Sequence, residues 1–580
     1  MDFRQELVKA ISAAGVEGKL ADGILEVPPE HAMGDFALPC FKLAASMKRN
    51  PMEIAKELSQ KIALPKTFAS MEVKGAYINF FVNEGKYATE VIAGILGNGA
   101  GKKAAGRKGK AKKRGKGMAK AAAIIEYCQA NPMKSFHIGH VRNICLGEGI
   151  ARLFEETGTQ VMRVDYGGDV GPHVSKTIYA YMELWKGKEP KGISEKGKWL
   201  GELYAMGASA VKENPELDAK MRQMVVDLEK GDKKLVKVWK KLRKDSMDYF
   251  GHIFSELGVE FDRIILESEV EKEGIRIANK LFEEGFAKKD EGALLVDLTE
   301  HGLDKFLILK SDGAALYASK DLALSKMKRK ELGAEISYNV VGSEQAFYFR
   351  QLTKTIELLN ARGAGRKEYC PTTHITYELV RLEGGKMASR EGNVITYNEL
   401  FDRVYEATLS GTMERHREWK EKKIAETAKR LALCAIKFGM LGHDKNKTIT
   451  FNWEKATSLE GETGPFVLYS RARARSIIRK AGNMKPAKEI RVTEEKERHL
   501  VSTLGAFNDK VREAAESASP HKIAHYLLEL ASEFNSFYHE VPVLQAEKES
   551  MASRLALVKA TAAVLEKGLS LLNIEALEEM

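Results

Sequence analysis

Long apolar runs are missing from this chain, and none approaches the ~20 residues that would span a bilayer. Its start, Met1 to Leu7, contains acids and lacks the apolar stretch of a secretory signal. No two of the five cysteines lie at CxxC spacing, so neither a structural zinc site nor a disulfide framework is indicated. We therefore expect a cytoplasmic protein without a structural metal and without a membrane partner.

Acidic residues are missing altogether from residues 102–120, which contain ten Lys or Arg. The net charge of the whole chain is +11, so the remainder carries only +1. This strip is rich in Gly and Ala and lacks the large apolar side chains that a core needs, which predicts a flexible basic linker over 101–120. The sequence leaves two interpretations open, a salt-sensitive electrostatic tether for nucleic acid and a solvated spacer.

With 580 residues the chain is too long for a single core. A strand-like run, Lys74–Val82, lies before the linker and others follow it, and apolar spacing is helical almost throughout beyond residue 400, for example over Leu500–Ala515. We predict an α/β fold in five parts: a small α/β domain (1–100), the linker (101–120), a doubly wound parallel, Rossmann-type domain (121–400) with a charged helical insertion at about 186–260, a helical connector (401–460) and an all-α bundle (461–580).

A strand–loop–helix–strand unit follows the linker. Ala121–Tyr127 is an apolar run suited to a buried parallel strand, His140–Glu156 is helical up to Gly158, and Val161–Tyr166 predicts the next strand. Further strands are indicated at Ile336–Val341 and Thr373–Tyr377. This is the βαβ pattern of nucleotide-binding sheets, in which ligands lie at the carboxyl ends of the strands.

The loop of this unit contains His137-Ile138-Gly139-His140. Backbone N–H groups and the helix dipole at such a helix start favour phosphate, and two histidines three apart add donors for developing charge. Gly139 leaves room for a flat base. A lone HxxH pair is usually structural, but its position between strand and helix favours a phosphate site.

A second candidate loop, Gly384–Asn393, carries Lys386 between glycines, as a mobile clamp on a triphosphate requires. Alone it is weak evidence, because Gly-Lys loops are common. Together, the two loops resemble the HIGH and KMSKS motifs of class I aminoacyl-tRNA synthetases. The first matches fully, whereas the second keeps Lys386 and Met387 but has Ser389 at the position of the family's second lysine.

That departure resembles the arginine-specific members, in which a lysine just upstream of HIGH often serves instead; here that residue is Lys134. The resemblance implies that His137, His140, Lys386 and Lys134 are catalytic. It also implies that ATP, with Mg²⁺, binds to His137, Gly139, His140, Lys386 and Met387. Arginine and ATP would give arginyl-adenylate and pyrophosphate, and a terminal ribose hydroxyl of tRNA(Arg) would then accept the arginyl group.

Carboxylates in a forked arrangement suit a guanidinium, which is planar and always charged. Tyr317 and Asp321 are four apart and would share a face on a helix, and Glu267 lies in the segment Leu266–Val270. Each alone is more often a surface group. The resemblance assigns Tyr317, Asp321 and Glu267 to the guanidinium, Asn131 and Gln345 to the α-amino end, and Glu126 to the arginine site. His173 stands where this family has glutamine, so its loop is assigned no role.

Residues for tRNA are implied in both flanking domains. In the N-terminal domain, Tyr77 and Asn79 match positions that contact a base at the tRNA elbow; sheet packing is the alternative for Tyr77. In the helical domain, Tyr469, Arg471 and Arg473 match the start of an anticodon-binding bundle, where they would stack on or neutralise the loop. A helix whose arginines are merely solvated is equally compatible with each of these residues.

The expected partners are therefore tRNA(Arg), arginine and ATP, bound by a monomer. Three alternatives stay open. A class I synthetase for another amino acid, particularly lysine, disagrees with the guanidinium carboxylates. A tRNA-binding paralogue without ligase activity disagrees with the intact His137, His140 and Lys386. A small-molecule nucleotidyltransferase would leave the helical C-terminal region unexplained.

Overall fold

The structure is a computed structural model of the chain, and it describes residues 3–28, 33–97, 122–363, 367–382 and 395–580. The basic strip 102–120 and the loop Gly384–Asn393, with Lys386, Met387 and Ser389, lie outside the described residues.

The N-terminal domain is a three-stranded antiparallel sheet covered by helices. The middle strand, β3, pairs with β1 on one side and β2 on the other. Lys74–Val82, which the sequence predicts as one strand, is divided at Gly75, where a φ of +61° makes the turn of a hairpin. The elements are α1 Phe3–Ala13, α2 Gly18–Ile24, β1 Phe36–Pro39, α3 Phe41–Met47, α4 Pro51–Lys61, β2 Phe68–Lys74, β3 Tyr77–Val82 and α5 Glu84–Gly97.

The central domain begins with the predicted strand–loop–helix–strand unit and continues through a helical segment. The stretch expected as a charged insertion carries α8, α9 and α10 between two strands of the sheet. The elements are β4 Ala123–Glu126, α6 Ile138–Glu156, β5 Val161–Gly167, α7 Pro172–Tyr179, a π-helical turn Ala180–Leu184, α8 Ile193–Glu213, α9 Glu216–Glu229, α10 Lys233–Glu256, β6 Arg263–Leu266 and α11 Glu267–Glu283.

A small antiparallel sheet that the sequence analysis did not anticipate comes next, because its strands have only three or four residues. The elements are β7 Lys288–Asp290, β8 Ala293–Val296, β9 Phe306–Leu309, α12 Tyr317–Lys330, β10 Ile336–Gly342, α13 Ala346–Arg362, β11 Thr372–Tyr377 and β12 Val380–Leu382.

The main sheet has five parallel strands in the order β11-β10-β4-β5-β6, which confirms the doubly wound α/β fold. The chain proceeds outward from β4 through β5 to β6, then returns to β10 on the other side of β4. This order reverses between β4 and β10, and ligands of such sheets bind at the carboxyl ends of the strands beside that reversal.

The remainder is helical, apart from β13, which pairs with β12. Helices α18 and α19 divide the expected helical stretch Leu500–Ala515 at Gly505, where a Cβ would lie 2.2 Å from the hydroxyl of Tyr87 on α5. The elements are α14 Tyr397–Arg415, α15 Glu421–Leu441, β13 Ile449–Phe451, α16 Trp453–Thr457, α17 Gly464–Lys480, α18 Glu495–Gly505, α19 Phe507–Glu516, α20 His521–Glu540 and α21 Lys548–Leu571.

Within the described ranges, no helix combines the length and apolar character needed to cross a membrane.

Helix α6 is the centre of the core. Glu148, near its middle, accepts a hydrogen bond from Tyr127 at 2.8 Å and pairs with Arg163 at 2.7 Å. The preceding residue, Gly147, faces the ring of Tyr127, and a Cβ there would meet this side chain at 2.2 Å. Gly147 therefore lets α6 lie close to the end of β4. Glu148 on the same helix is the hydrogen-bond or ion-pair partner of Tyr127 and of Arg163 on β5.

We predict that Gly147→Ala lowers the free energy of unfolding by about 1–3 kcal/mol, because overpacking outweighs the better helix propensity of alanine. Gly251→Ala is the matched control, since Gly251 is helical and no atom lies within 4 Å of its Cβ position. That change should be neutral or stabilising by up to about 1 kcal/mol. Chemical denaturation of both variants tests this, and equal stability of the two would contradict it.

Candidate active site

The loop between β4 and α6 has an unusual backbone that neighbouring side chains hold in place. Cys128, Gln129 and Met133 have φ values of +80°, +53° and +66°, which cost energy in residues with a side chain. The N–H of Cys128 donates to Asn143 at 2.6 Å, and that of Gln129 donates to Asp165 at 2.9 Å. These two bonds anchor the loop between α6 and β5, at the carboxyl end of the central strand.

The two histidines lie together at the start of α6. Their rings stack with centroids 3.7 Å apart, and Nδ1 of His140 accepts the backbone N–H of His137 at 3.2 Å. This bond assigns the proton of His140 to Nε2, which leaves Nε2–H as a donor. Burial lowers the pKa of His137 to about 4 and that of His140 well below its usual value, so both are neutral near pH 7.

Gly139 permits this arrangement, because a Cβ there would lie 3.0 Å from Cε1 and Nδ1 of His137. Lys134 is near the pair, and its charge contributes to the low pKa of both histidines. Its own pKa is lowered by burial and then by Lys176. Its ammonium lies 5.3 Å from the ring centroid of Tyr204. The start of α6 therefore combines two neutral N–H donors with one cation.

The residues that follow the undescribed loop are bonded to the same motif. The carbonyl of Ile395 accepts the N–H of Ile138 at 3.0 Å, and the N–H of Tyr397 donates to Phe136 at 2.8 Å. Thr396 forms a β-bridge with His137. Ile395, Thr396 and Tyr397 are thus attached beside the histidines.

An acidic pocket lies beside this motif, formed by β5, α11 and α12. The carboxylate of Asp321 accepts a hydrogen bond from the Tyr348 hydroxyl at 2.5 Å, and burial raises its pKa to about 7. The buried hydroxyl of Tyr166 has no hydrogen-bond partner in the described part of the chain. Burial and then the charges of Asp321 and Glu267 hold its pKa far above the usual value.

Most carboxylates around this pocket already have internal cations. Lys320 lies 3.4 Å from Glu267 and 3.1 Å from Glu271, and Arg243 pairs with Asp169 at 2.8 Å. None of the ion pairs among the described residues involves Asp321. Its carboxylate therefore offers the uncompensated negative charge that a cationic ligand requires.

Gly168 brings together two of the predicted arginine ligands. Its N–H donates to Asn131 Oδ1 at 2.9 Å, and a Cβ at this position would lie 2.7 Å from that oxygen and 3.3 Å from the carboxylate of Glu267. His173 lies behind them, with Nε2 2.9 Å from the carbonyl oxygen of Gly168. A histidine at this position thus supports the loop through its backbone.

Tyr317 begins α12, four residues before Asp321, and its side chain is 68% exposed. Gln345 is exposed at the carboxyl end of β10. Both are therefore accessible to a ligand that enters the pocket from solvent.

Glu126 lies at the end of β4 and is held by neighbouring side chains. Its buried carboxylate pairs with Lys328 at 2.6 Å and accepts a hydrogen bond from Asn339 at 2.9 Å. A carboxylate at the end of a central strand needs such partners, because an unpaired buried charge is costly. Glu126 therefore joins β4 to α12 and β10 in this structure, and its part in the arginine site stays a prediction.

The three domains match three models of one family. Residues 105–453 match the catalytic domain of class I (R) tRNA synthetases, 467–580 the DALR anticodon binding domain, and 1–82 the arginyl-tRNA synthetase N-terminal domain. The arginine–tRNA ligase of Clostridium acetobutylicum is 32% identical over all of both chains, and that of Bdellovibrio bacteriovorus is 34% identical over 95% of this chain and 93% of its own. This chain belongs to the arginyl-tRNA synthetase family.

The solved arginyl-tRNA synthetase of Thermus thermophilus has the same overall architecture. It is 27% identical, with a TM-score of 0.80 over 99% of both chains. Among the described residues, no group of three or more His, Cys, Asp or Glu side chains could hold a metal ion.

The predicted tRNA residues are not equally accessible in this family member. Tyr77 begins β3 beside the exposed Phe41, with ring centroids 5.5 Å apart. Asn79 is only 6% exposed and packs under Gly34, so the expected base contact is not available to its side chain in this structure. In the DALR domain, the guanidinium of Arg473 lies 4.8 Å from the ring centroid of Tyr469.

Arg471 also differs from its predicted role, since it is 1% exposed. Its guanidinium pairs with Glu566 at 2.7 Å and Glu578 at 2.9 Å, and it donates to the carbonyl of Leu577. We therefore reassign Arg471 from the anticodon loop to an anchor for the last residues of the chain. Helical periodicity places the side chain of Arg471 on the buried side of α17.

Several residues of this synthetase's site carry no motif that sequence reasoning detects. Tyr348, Tyr166 and Lys320 contact or surround the predicted carboxylates from α13, β5 and α12. Lys320 directly precedes Asp321, and for these three residues this adjacency is the one feature of the local sequence that points to the site. The two tyrosines are brought to the pocket by strand order.

We predict that Asp321→Asn stabilises the ligand-free protein at pH 8 by about 1–2 kcal/mol. The carboxyl has a raised pKa of about 7 when folded, against 3.8 as its ordinary value. Its contribution to stability is therefore complete below pH 3.8 and lost as the pH rises through 7. Unfolding of both proteins from pH 5 to 8.5 measures the effect; a difference that does not grow with pH would contradict this assignment.

Proposed function

We propose that this chain activates arginine with ATP and Mg²⁺ and transfers it to tRNA(Arg), and that it does so at the carboxyl end of β4. The observation that supports this most strongly is the pair of neutral, stacked histidines at the start of α6 beside a pocket with one unpaired carboxylate. The first group suits a phosphate that gains charge, and the second suits a guanidinium.

In the first step, an oxygen of the arginine carboxylate attacks the α-phosphate of ATP, and pyrophosphate leaves. Nε2–H of His140 is positioned to donate to oxygens that gain charge, and the ammonium of Lys134 adds a positive charge beside it. Gly139 leaves space for the nucleotide against the backbone. Lys386 and Met387 belong to the same step by family resemblance, and the attachment of Ile395 and Thr396 beside His137 supports this.

Arginine lies with its guanidinium towards Asp321, between Tyr317 and Glu267, and with its α-amino group towards Asn131 and Gln345. Ionised Asp321 pairs with the guanidinium, which replaces the missing cation and favours the charged carboxylate. Lys320 already compensates Glu267, so this second carboxylate contributes hydrogen-bond acceptors rather than an uncompensated charge.

In the second step, a terminal ribose hydroxyl of tRNA(Arg) attacks the arginyl carbonyl carbon and AMP leaves. Tyr77 contacts the elbow of the tRNA, and Tyr469 and Arg473 contact the anticodon loop. Contacts of α5 with α18, including Arg498–Glu84 at 2.7 Å, join the N-terminal and C-terminal domains within the chain, and we propose that it acts as a monomer. We infer that it acts in the cytoplasm, where the other substrates of translation are found.

The deciding experiment is the attachment of labelled arginine, lysine or glutamate to total tRNA with ATP and Mg²⁺. We expect charging with arginine alone, and a fall of about 10²–10³-fold in kcat/KM for arginine in Asp321→Ala, because a charge-assisted pair is lost. Asp248→Ala is the matched control, since that exposed carboxylate pairs with Lys244 on the surface. Charging with lysine, or tight tRNA binding without charging, would instead favour the alternatives.

We also predict that Lys134→Ala lowers kcat for arginyl-adenylate formation by about 10²-fold, the usual effect of removing one group that stabilises developing charge. The KM for tRNA should be nearly unchanged. Lys198→Ala, an exposed lysine on α8, controls for the general loss of positive charge. Pyrophosphate exchange and single-turnover assays measure both constants, and unchanged turnover would remove Lys134 from the mechanism.

A further inference from the structure

The hydroxyl of Tyr166 is the one tyrosine hydroxyl in the described ranges that is buried without a hydrogen-bond partner. Other buried tyrosines are satisfied internally: Tyr127 donates to Glu148 at 2.8 Å, and Tyr526 donates to the carbonyl of Thr503 at 2.9 Å. Folded proteins rarely bury a polar group unpaired, because its lost hydrogen bonds to water are then not replaced. This hydroxyl therefore calls for a partner that the described residues do not supply.

Strand β5 directs the side chain of Tyr166 towards the predicted arginine pocket. Side chains alternate along a strand, so Tyr166 lies on the face opposite Arg163, which pairs with Glu148 on α6. On that opposite face, Tyr166 packs against the core formed with α11 and α12. These are the two helices that carry Glu267 and Asp321, so strand alternation and strand order together bring the tyrosine to the pocket.

The carboxylates around this hydroxyl have other partners. Burial raises the pKa of Tyr166 well above its usual value, and the nearby charges of Asp321 and Glu267 raise it further, so the hydroxyl stays neutral. Asp321 accepts a hydrogen bond from Tyr348 instead, and Glu267 accepts one from Lys320. The pocket thus contains two polar groups that the described residues leave unused, the charge of Asp321 and the hydroxyl of Tyr166.

We propose that the Tyr166 hydroxyl binds the guanidinium of arginine and accepts an N–H group that Asp321 does not. The inference rests on the proposed function and adds a binding residue to its arginine site. A guanidinium has five N–H donors and no acceptor, and a carboxylate that binds it through both oxygens pairs with two of them. A hydroxyl oxygen without a donor of its own suits one of the remaining N–H groups.

The position of the hydroxyl also bears on the choice of amino acid. The residue Tyr166 is partly exposed whereas its oxygen is buried, so contact with a ligand requires side-chain rotations, which are common on binding. The compact ammonium of lysine lacks the planar fork of a guanidinium and would leave either Asp321 or Tyr166 without a partner. A site rejects a ligand that leaves its buried polar groups unpaired. Tyr166 therefore contributes to the selection of arginine over lysine.

The test is calorimetric titration of L-arginine into the unaltered chain and into Tyr166→Phe. We expect Tyr166→Phe to weaken arginine binding about tenfold, the usual loss for one hydrogen bond to a charged group. Agmatine, which keeps the guanidinium but lacks the carboxylate, should be weakened by the same factor. The inhibition constant of lysine should change by about twofold at most, because lysine does not use the hydroxyl. In arginylation, the KM for arginine should rise while kcat stays nearly constant, since uniform binding is lost.

Thermal unfolding distinguishes a ligand contact from an internal hydrogen bond. Without arginine, Tyr166→Phe should have an equal or higher thermal midpoint than the unaltered chain, because an unpaired buried hydroxyl is removed. At a fixed arginine concentration, the rise of the midpoint should be smaller in this variant. Tyr526→Phe is the matched control, since its hydroxyl has a partner in the helical bundle. Its midpoint should fall, and its affinity for arginine should stay the same.

Three outcomes would overturn the assignment of Tyr166. They are an unchanged arginine affinity in Tyr166→Phe, a loss for arginine without a loss for agmatine, and a fall in midpoint like that of Tyr526→Phe. If the unaltered chain charges tRNA(Arg) and only these results disagree, the proposed function stands and the added contact is wrong. If the unaltered chain binds no arginine, the proposed function is itself wrong and the contact fails with it.

Discussion

The burial of helix α6 is the constraint on which the rest of the structure depends. Its middle supplies Glu148, which binds Tyr127 directly after β4 and Arg163 on β5, while Gly149 lies against Pro520 of the helical domain. Arg152 on the same helix pairs with Glu148 at 2.6 Å and donates to Ser570 at 3.0 Å. The helix is thus fixed from the sheet and from the C-terminal bundle, and its first turn presents His137 and His140 in one orientation.

The carboxylates near the substrate sites follow one electrostatic pattern. Glu126 pairs with Lys328, Glu267 with Lys320 and Asp169 with Arg243, so each carboxylate that shapes the walls is neutralised from within. Asp321 is different, because Tyr348 donates a hydrogen bond to it and burial raises its pKa to about 7. The pocket can therefore keep its shape without ligand while one uncompensated carboxylate remains for a cation. An unpaired buried carboxylate lowers the stability of the ligand-free protein and raises its affinity for a cationic ligand.

Helix α14 connects the two ends of the molecule that the proposed function uses. Its first residue, Tyr397, donates its N–H to Phe136, directly before the histidines. Its last residue, Arg415, is followed by His416, which lines an open cleft together with Tyr469 and Arg473. Anticodon-side and catalytic residues are therefore joined by one continuous helix as well as by the packing of α15 on α6.

The sequence alone determined what depends on neighbours along the chain. Short strand-like runs indicated β4, β5, β10 and β11, helical spacing indicated α6 and the C-terminal bundle, and the loop around His137 predicted a phosphate site. Tyr317 and Asp321 were also accessible to this reasoning, because four residues are one helical turn.

Only the tertiary structure decided which charges are free. The partner of Glu126 is Lys328, and Arg471 meets Glu566 and Glu578, so each contact joins residues far apart in the chain. Periodicity specifies the face on which a residue lies but not what packs against that face, and burial turns a candidate ligand into an internal ion pair. Short strands such as β7–β9 were missed for the same reason, since strand pairing rather than local pattern stabilises them.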